Sequence, residues 1–200
     1  IFLYSMTGMS ESPDITIVCT PSVDVLTTIE GDVTDQSLFV SSRSSVELRI
    51  PEGSRLYSGG SGFNTAKTLG THSDVKVLFV GSMGSDIMSG VIRSTAEVRG
   101  VMMHPYIPEC PELHTALCFV KVHGSDRSLD FVSSAGSIMS EDHLLTIPGI
   151  GQSKILYITL YALRVYSKAI MKYLTTTDSE DTQTLVINTS STQCLGDLIN

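Results

Sequence analysis

Residues 59–66 have the sequence GGSGFNTA, in which three of the first four positions are glycine. Glycines let the backbone approach another group closely, and residues 64–69 (NTAKTL) have helical composition, so Asn64 is expected in the first turn of a helix. The stretch is not a Walker phosphate loop, because it lacks Gly-Lys-Ser/Thr, and it lacks the full GxGxxG spacing. Turns and linkers share this composition, so the stretch needs support from the rest of the chain.

Four apolar segments around it have the character of buried strands. They are residues 15–19 (ITIVC), 75–80 (VKVLFV), 155–160 (ILYITL) and 185–188 (LVIN). Helices are predicted between them, at residues 88–98 and from about 166 to 174. Strands that alternate with helices predict an α/β fold, in which a mostly parallel sheet is covered on both faces.

Two further segments, residues 37–50 and 115–132, alternate apolar and polar side chains. This pattern is typical of half-exposed antiparallel strands, and we expect the two segments to form a small second sheet. The second segment contains a hairpin with Arg127 at its rim. Asp24 is expected on the loop that follows Pro21.

Composition excludes several classes of function. The 200 residues include 13 basic and 21 acidic side chains, a net charge of -8 that disfavours nucleic-acid and anionic-membrane partners. The longest uncharged apolar stretch, residues 155–163, is about half of the ~20 residues that a membrane span needs. Four cysteines without a CxxC pair predict reduced thiols in a cytoplasmic protein, and five histidines without ligand spacing predict no metal site.

In order along the chain, these segments resemble the ribokinase-like (PfkB) carbohydrate kinase family. GGSGFNTA fits the glycine signature of that family, and GSMGSD at residues 81–86 with Gly90 is similar to a second motif. The adenosine kinase branch is the most similar, through TPSVDV at 20–25, GSDRSL at 124–129 and LYITLYALRV at 156–165. The resemblance implies a mostly parallel sheet flanked by helices, with a small β lid from about 33–53 and 112–132.

The resemblance also implies roles for individual residues. A carboxylate that accepts from two neighbouring hydroxyls would hold a ribose, and Asp24 matches that position. Arg127 would bring a cation to the migrating phosphoryl group from the lid, with ATP and Mg²⁺ as cofactors. The remaining matches would bind substrate: Gly59, Gly60 and Asn64 at the ribose, and Cys118, Leu129, Tyr161 and Val165 at the base. Each has an ordinary alternative, since Asp24 could cap a loop, Arg127 could be solvated and the pocket residues could fill the core.

Some features depart from the pattern. Thr20 stands where adenosine kinases carry Asn, and Thr159 with Leu160 replaces a small Ala-Gly pair, so the base pocket is expected to differ. The family places its catalytic Asp in a Gly-x-Gly-Asp motif, and the sequence contains no such motif. Residues 1–200 are therefore expected to be the N-terminal portion of one ribokinase-like domain, with the C-terminal part missing.

Three hypotheses follow. The first is an adenosine kinase-like phosphotransferase that moves the γ-phosphate of ATP to the 5′-hydroxyl of adenosine, in purine salvage. The second is another PfkB-type sugar or nucleoside kinase, and the third is a truncated, non-catalytic module that binds nucleosides. All three take a small-molecule substrate, and the oligomeric state is not predicted.

Overall fold

The computed structural model describes residues 12–28, 39–42, 45–48, 52–110, 112–177 and 183–189. In chain order the strands are β1 (Ile15–Val18), β2 (Ser22–Thr28), β3 (Phe39–Ser42), β4 (Ser45–Leu48), β5 (Arg55–Gly59), β6 (Val77–Val80), β7 (Val101–Met103), β8 (Leu117–His123), β9 (Asp126–Val132), β10 (Ile155–Thr159) and β11 (Thr184–Asn188). The helices are α1 (Ser61–Leu69), α2 (Ile87–Val98), α3 (Leu160–Val165) and α4 (Ser167–Thr176). Short 3₁₀ helices span Ser134–Ser137, His143–Thr146 and Ile150–Gln152.

A five-stranded parallel sheet in the order β11-β10-β1-β6-β7 forms the body of the fold. Side chains alternate across it, so Ile17 and Phe79 enter one core cluster while Val18 and Leu78 enter another. Helices α1 and α2 contribute to the first cluster, and α3 and α4 contribute to the second. The predicted α/β class, with a sheet covered on both faces, is confirmed.

The order of the strands reverses at β1. The chain proceeds from β1 to β6 and β7 on one side, and then returns to place β10 and β11 on the other side. In sheets of this kind the helices leave the strand ends in opposite directions at the reversal, and a crevice opens beyond the carboxyl ends of the two strands. Here that crevice lies beyond Val18 of β1 and Thr159 of β10.

A second sheet, in the order β5-β2-β8-β9, stands beside the first. One face carries Val23, Val25, Leu117 and Phe119, all buried in the first core cluster. The alternate residues point to the opposite face, where Asp24 pairs with Cys118 across the sheet. The small sheet is therefore fixed to the body by one face and leaves the other available.

Two predictions about local structure are wrong. Asp24 lies on strand β2 and not on a loop, because Val23 and Val25 alternate into the core directly after Pro21. The small sheet contains β2 and β5 together with the hairpin β8–β9, whereas β3 and β4 pair in a separate two-stranded sheet within the described residues. The predicted helix from about 166 to 174 is confirmed as α4, and a short helix that was not predicted, α3, precedes it and meets it at Tyr166.

Asp86 connects the small sheet to the body. Its Oδ1 accepts hydrogen bonds from the Ser89 amide at 2.8 Å, which caps α2, and from the Thr115 hydroxyl at 2.7 Å. Its Oδ2 accepts from the Thr115 amide at 2.6 Å. Thr115 is buried just before β8, so one carboxylate fixes the first residues of the hairpin to the N-terminus of α2. Within the described residues, no helix has the length and apolar character to cross a membrane.

Replacing Asp86 by Ala is expected to lower the free energy of unfolding by about 2–3 kcal/mol, because it removes a helix cap and leaves two buried donors of Thr115 without their acceptor. Urea unfolding measures this loss. Asp74→Ala is the matched control, since Asp74 is an exposed residue in the turn before β6. Equal losses in the two variants would contradict the assigned role of Asp86.

Candidate functional site

The Asp24 carboxylate rests directly against the backbone of Gly59. The two residues lie on the paired strands β2 and β5, where Ser22 is opposite Gly59. A Cβ atom at position 59 would overlap the Asp24 carboxylate in its present orientation, so glycine allows the two to approach this closely. The Ser22 hydroxyl donates to Asp24 Oδ1 at 3.2 Å and holds the carboxylate on the open face of the small sheet.

Gly60 turns the chain from β5 into α1. Its φ of 95° lies in the region that favours glycine, and a Cβ there would come within 2.6 Å of the Thr20 carbonyl oxygen. The Gly60 carbonyl accepts from the Asn64 amide at 2.8 Å, the first hydrogen bond of the helix. The Gly62 amide donates to Cys19 Sγ at 3.3 Å, so the start of α1 is joined to the end of β1.

A cleft of about 420 Å³ opens at this junction, in the size range of small-molecule sites. It lies at the carboxyl ends of β1 and β10, where the sheet reverses its order. The residues that line it come from both sheets and from the starts of α1 and α3. They are Cys19, Thr20, Ser22, Gly60, Ser61, Leu129, Phe131 and Tyr161.

Strand β9 provides the apolar wall of the cleft. Leu129 and Phe131 are 56% and 46% exposed, so both are available to a ligand in the cleft. The Phe131 ring meets the Tyr161 ring edge to face, with centroids 5.8 Å apart, and so spans from the small sheet to the body. Arg127 is exposed and shares this face of β9, two residues nearer to the hairpin turn than Leu129.

A buried network beneath the cleft was not predicted from the sequence. The Tyr166 hydroxyl donates to the Gly136 carbonyl at 2.7 Å and accepts from the Ser82 amide at 3.1 Å. The Thr20 hydroxyl lies 3.1 Å from that of Tyr166 and 2.9 Å from the Gly136 oxygen. Burial raises the pKa of Tyr166, so its hydroxyl remains neutral and can donate. Tyr166 thus connects β1, the loop after β6 and the segment that follows β9.

The structure brings together most, but not all, of the sequence-predicted site residues. Gly60, Leu129 and Tyr161 line the cleft, while Asp24 and Gly59 lie next to it, beside the lining residues Ser22 and Gly60. Cys118 lies on the open face between Asp24 and Phe131 in the strand register. Asn64 is an exposed residue of α1, and Val165 packs against the second core cluster, so neither is among the residues that line the cleft.

Burial raises the pKa of Asp24, while the Ser22 hydrogen bond and the charge of Lys67 act in the opposite direction. Burial also raises the pKa of Cys118 to about 11, helped by the charges of Asp24 and Asp130. The open face of the small sheet therefore carries one carboxyl group and a neutral thiol beside a cleft with an apolar wall. No group of three His, Cys, Asp or Glu side chains meets within the described ranges.

The same architecture occurs in solved kinases. The chain is similar to adenosine kinase from Anopheles gambiae, solved in complex with P1,P4-di(adenosine-5) tetraphosphate, with a TM-score of 0.75, 16% identity and coverage of 95% of this chain. The chain has a ribokinase-like fold. Trypanosoma brucei brucei adenosine kinase (TM-score 0.67, 20% identity) is matched over 95% of this chain, and a probable sugar kinase from Rhizobium etli (0.70, 15%) over 93%.

The likeness to these ribokinase-like structures covers part of each relative. The chain spans 59% of the mosquito enzyme, 64% of the trypanosome enzyme and 58% of the Rhizobium protein. No protein-family model matches the sequence, and no curated protein matches it in the sequence comparison. The ribokinase-like fold is thus established by the arrangement of strands and helices, at identities too low to transfer a substrate.

Three glycine substitutions test the geometry of the site. Gly60→Ala is expected to lower the free energy of unfolding by about 2 kcal/mol or more. The positive φ at this position strains any residue that has a Cβ, and the new methyl group would also clash with the Thr20 carbonyl, which is backbone and cannot rotate away. Gly59→Ala is expected to cost less, since rotation of the Asp24 side chain relieves the overlap. Gly90→Ala is the control, because its Cβ meets nothing within 4 Å and helix α2 should gain about 0.5–1 kcal/mol. If urea unfolding gave Gly60→Ala the same free energy of unfolding as Gly90→Ala, the geometry described here would be contradicted.

Proposed function

We propose that this chain carries the substrate-binding and lid part of a PfkB-type kinase that transfers the γ-phosphate of ATP to the 5′-hydroxyl of adenosine. The observation that supports the proposal most strongly is the position of the Asp24 carboxylate. It lies at the side of an aromatic-walled cleft, against a glycine that leaves space for it, at the reversal point of a parallel sheet. The ribokinase-like fold of two adenosine kinases is consistent with this assignment.

Asp24 would bind the ribose. An ionised carboxylate has two oxygens that only accept, so it can receive both vicinal hydroxyls of a ribose in short charge-assisted hydrogen bonds. Ser22 occupies one direction of Oδ1 and leaves the other acceptor positions for a ligand. Gly59 and Gly60 would let the sugar approach the backbone, and Asn64, one helical turn into α1, is proposed to complete the contact.

The apolar wall would bind the base. A purine is flat and apolar on its faces, and Leu129 and Tyr161 line the cleft with surfaces of the same character. Cys118, between Asp24 and Phe131 in the register, would contact the nucleoside where the sugar meets the base. Val165 retains its proposed role only if the second core cluster shifts upon binding, because it packs there in this structure.

Arg127 would act on the phosphoryl group. Its position on the cleft face of β9 allows the lid to bring a fixed positive charge toward a ligand held by Asp24. Stabilising charge on the transferred group is the main contribution of a protein to phosphoryl transfer. ATP is proposed as the donor and Mg²⁺ as its counter-ion in the cytoplasm, where the ion would neutralise charge on the phosphates.

A PfkB-type sugar kinase is the second candidate, and the similarity to the Rhizobium etli protein favours it. Asp24 would serve a sugar as well as a nucleoside, since the carboxylate contacts hydroxyls in both. The two candidates differ in the apolar wall, which a free sugar would leave empty. Competition between adenosine, inosine, ribose and fructose for the cleft therefore separates them.

Asp24→Asn is expected to weaken adenosine binding about 100-fold, because the amide replaces an acceptor by a donor and removes the charge from two hydrogen bonds. Isothermal titration calorimetry on the full chain measures the loss, and 2′-deoxyadenosine should bind the unaltered chain more weakly than adenosine. Asp74→Asn, at an exposed turn, controls for the change of net charge.

Two outcomes would contradict the proposal. Unchanged affinity of Asp24→Asn for adenosine would remove the ribose contact on which the assignment depends. Ribose that binds as tightly as adenosine would show that the apolar wall contributes nothing, and would favour the sugar kinase.

A further inference from the structure

Lys67 is a polar residue near the cleft that the proposed function does not use. It lies on α1 four residues after Phe63, so both side chains extend from the same face of the helix. Its ammonium is 5.4 Å from the centre of the Phe63 ring, a cation–π arrangement. The side chain is half-buried between the helix and the small sheet.

The ammonium is anchored to strand β5. It donates to the Ser58 carbonyl oxygen at 2.6 Å and lies 3.1 Å from the Ser58 hydroxyl. Ser58 directly precedes Gly59, the residue against which the Asp24 carboxylate rests. Two hydrogen bonds and the ring of Phe63 therefore hold one positive charge at a fixed place beside the Asp24 site.

Within the described residues, Lys67 is the one charged side chain that acts on Asp24, while Arg127 and Asp130 act on the neighbouring Cys118. Strand β5 places Tyr57 opposite it, and β8 places Cys118 beside it. The pKa of Cys118, raised to about 11, leaves that thiol neutral at ordinary pH. On the helical side, Lys67 and Asp24 act on each other, since each charge favours the ionised form of its partner against the effect of burial. Arg99 acts on Lys67 in the opposite sense.

We propose that Lys67 is a positioning residue that keeps the Asp24 carboxylate ionised and thereby able to accept from two hydroxyls of a polyol. This inference rests on the proposed function for the identity of the ligand. A protonated carboxyl group would carry a donor where the sugar hydroxyls need acceptors. Lys67 would thus affect binding without touching the ligand, through the charge state of a residue that does.

The test is an NMR titration of the Asp24 carboxyl carbon in the full chain, without ligand. Lys67→Met should raise the pKa of Asp24, because the variant loses the charge that opposes burial. Lys67→Arg should restore the original value, because it keeps the charge. Lys168→Met is the control for net charge, since Lys168 is a surface residue whose side chain is 82% exposed and which pairs with Glu141. An Asp24 pKa that is equal in the Met variant and the unaltered chain would overturn the inference.

A reciprocal measurement covers the case in which Lys67→Met does not fold. Asp24→Asn, nearly identical in shape, should lower the pKa of the Lys67 ammonium, because coupling between two sites acts equally in both directions. An unchanged Lys67 pKa in that variant would overturn the inference without any use of Lys67→Met.

Binding then distinguishes this inference from the proposed function. When the pH is lowered from about 7.5 to about 5, Asp24 should take up its proton at a higher pH in Lys67→Met than in Lys67→Arg. The affinity for adenosine should therefore fall by a larger factor in Lys67→Met than in Lys67→Arg. Coupled pKa values in a chain that binds no adenosine would refute the function and leave the coupling standing. Adenosine binding with the same pH profile in both variants would refute the role of Lys67 and leave the function standing.

Discussion

The close approach of the start of α1 to the end of β1 is the constraint on which the rest of the site depends. The backbone at Gly60 packs against the Thr20 carbonyl, and the Gly62 amide donates to Cys19 Sγ. This contact brings the turn between β5 and α1 onto the turn between β1 and β2. The Asp24 carboxylate consequently lies beside Gly59 at the reversal point of the sheet, where a crevice already exists.

The second sheet is fixed near the body and open toward its hairpin turn. Asp86 holds Thr115 at the beginning of β8, and Tyr166 holds Gly136 in the segment after β9. Between these two anchors, one face of the sheet is buried in the first core cluster and the other carries Leu129 and Phe131 over the cleft. The same strands that complete the core therefore also form the apolar wall of the site.

Local sequence patterns predicted the parallel sheet well, because buried strands such as β6 (Val77–Val80) are continuous apolar runs. They failed at β2, where a strand with one polar face follows Pro21 and only two valines alternate into the core. They also failed at α3, since its six residues continue an apolar strand without a break in composition.

The resemblance of short motifs suggested Asp24, Gly59, Gly60, Leu129 and Tyr161 as candidate site residues, and these five residues lie in or beside the same cleft. Motifs carry little information on contacts between distant segments, so the buried network of Tyr166, Thr20 and Gly136 was not predicted. The same limit applies to Lys67, whose contacts with Ser58 depend on how α1 packs against β5.

A crystal structure of the full chain with adenosine tests the central claim most directly. The account predicts that the 2′ and 3′ hydroxyl oxygens lie about 2.7 Å from the two oxygens of Asp24, with the purine between Leu129 and Tyr161. Adenosine bound outside the cleft, or bound in it with the ribose directed away from Asp24, would contradict the account.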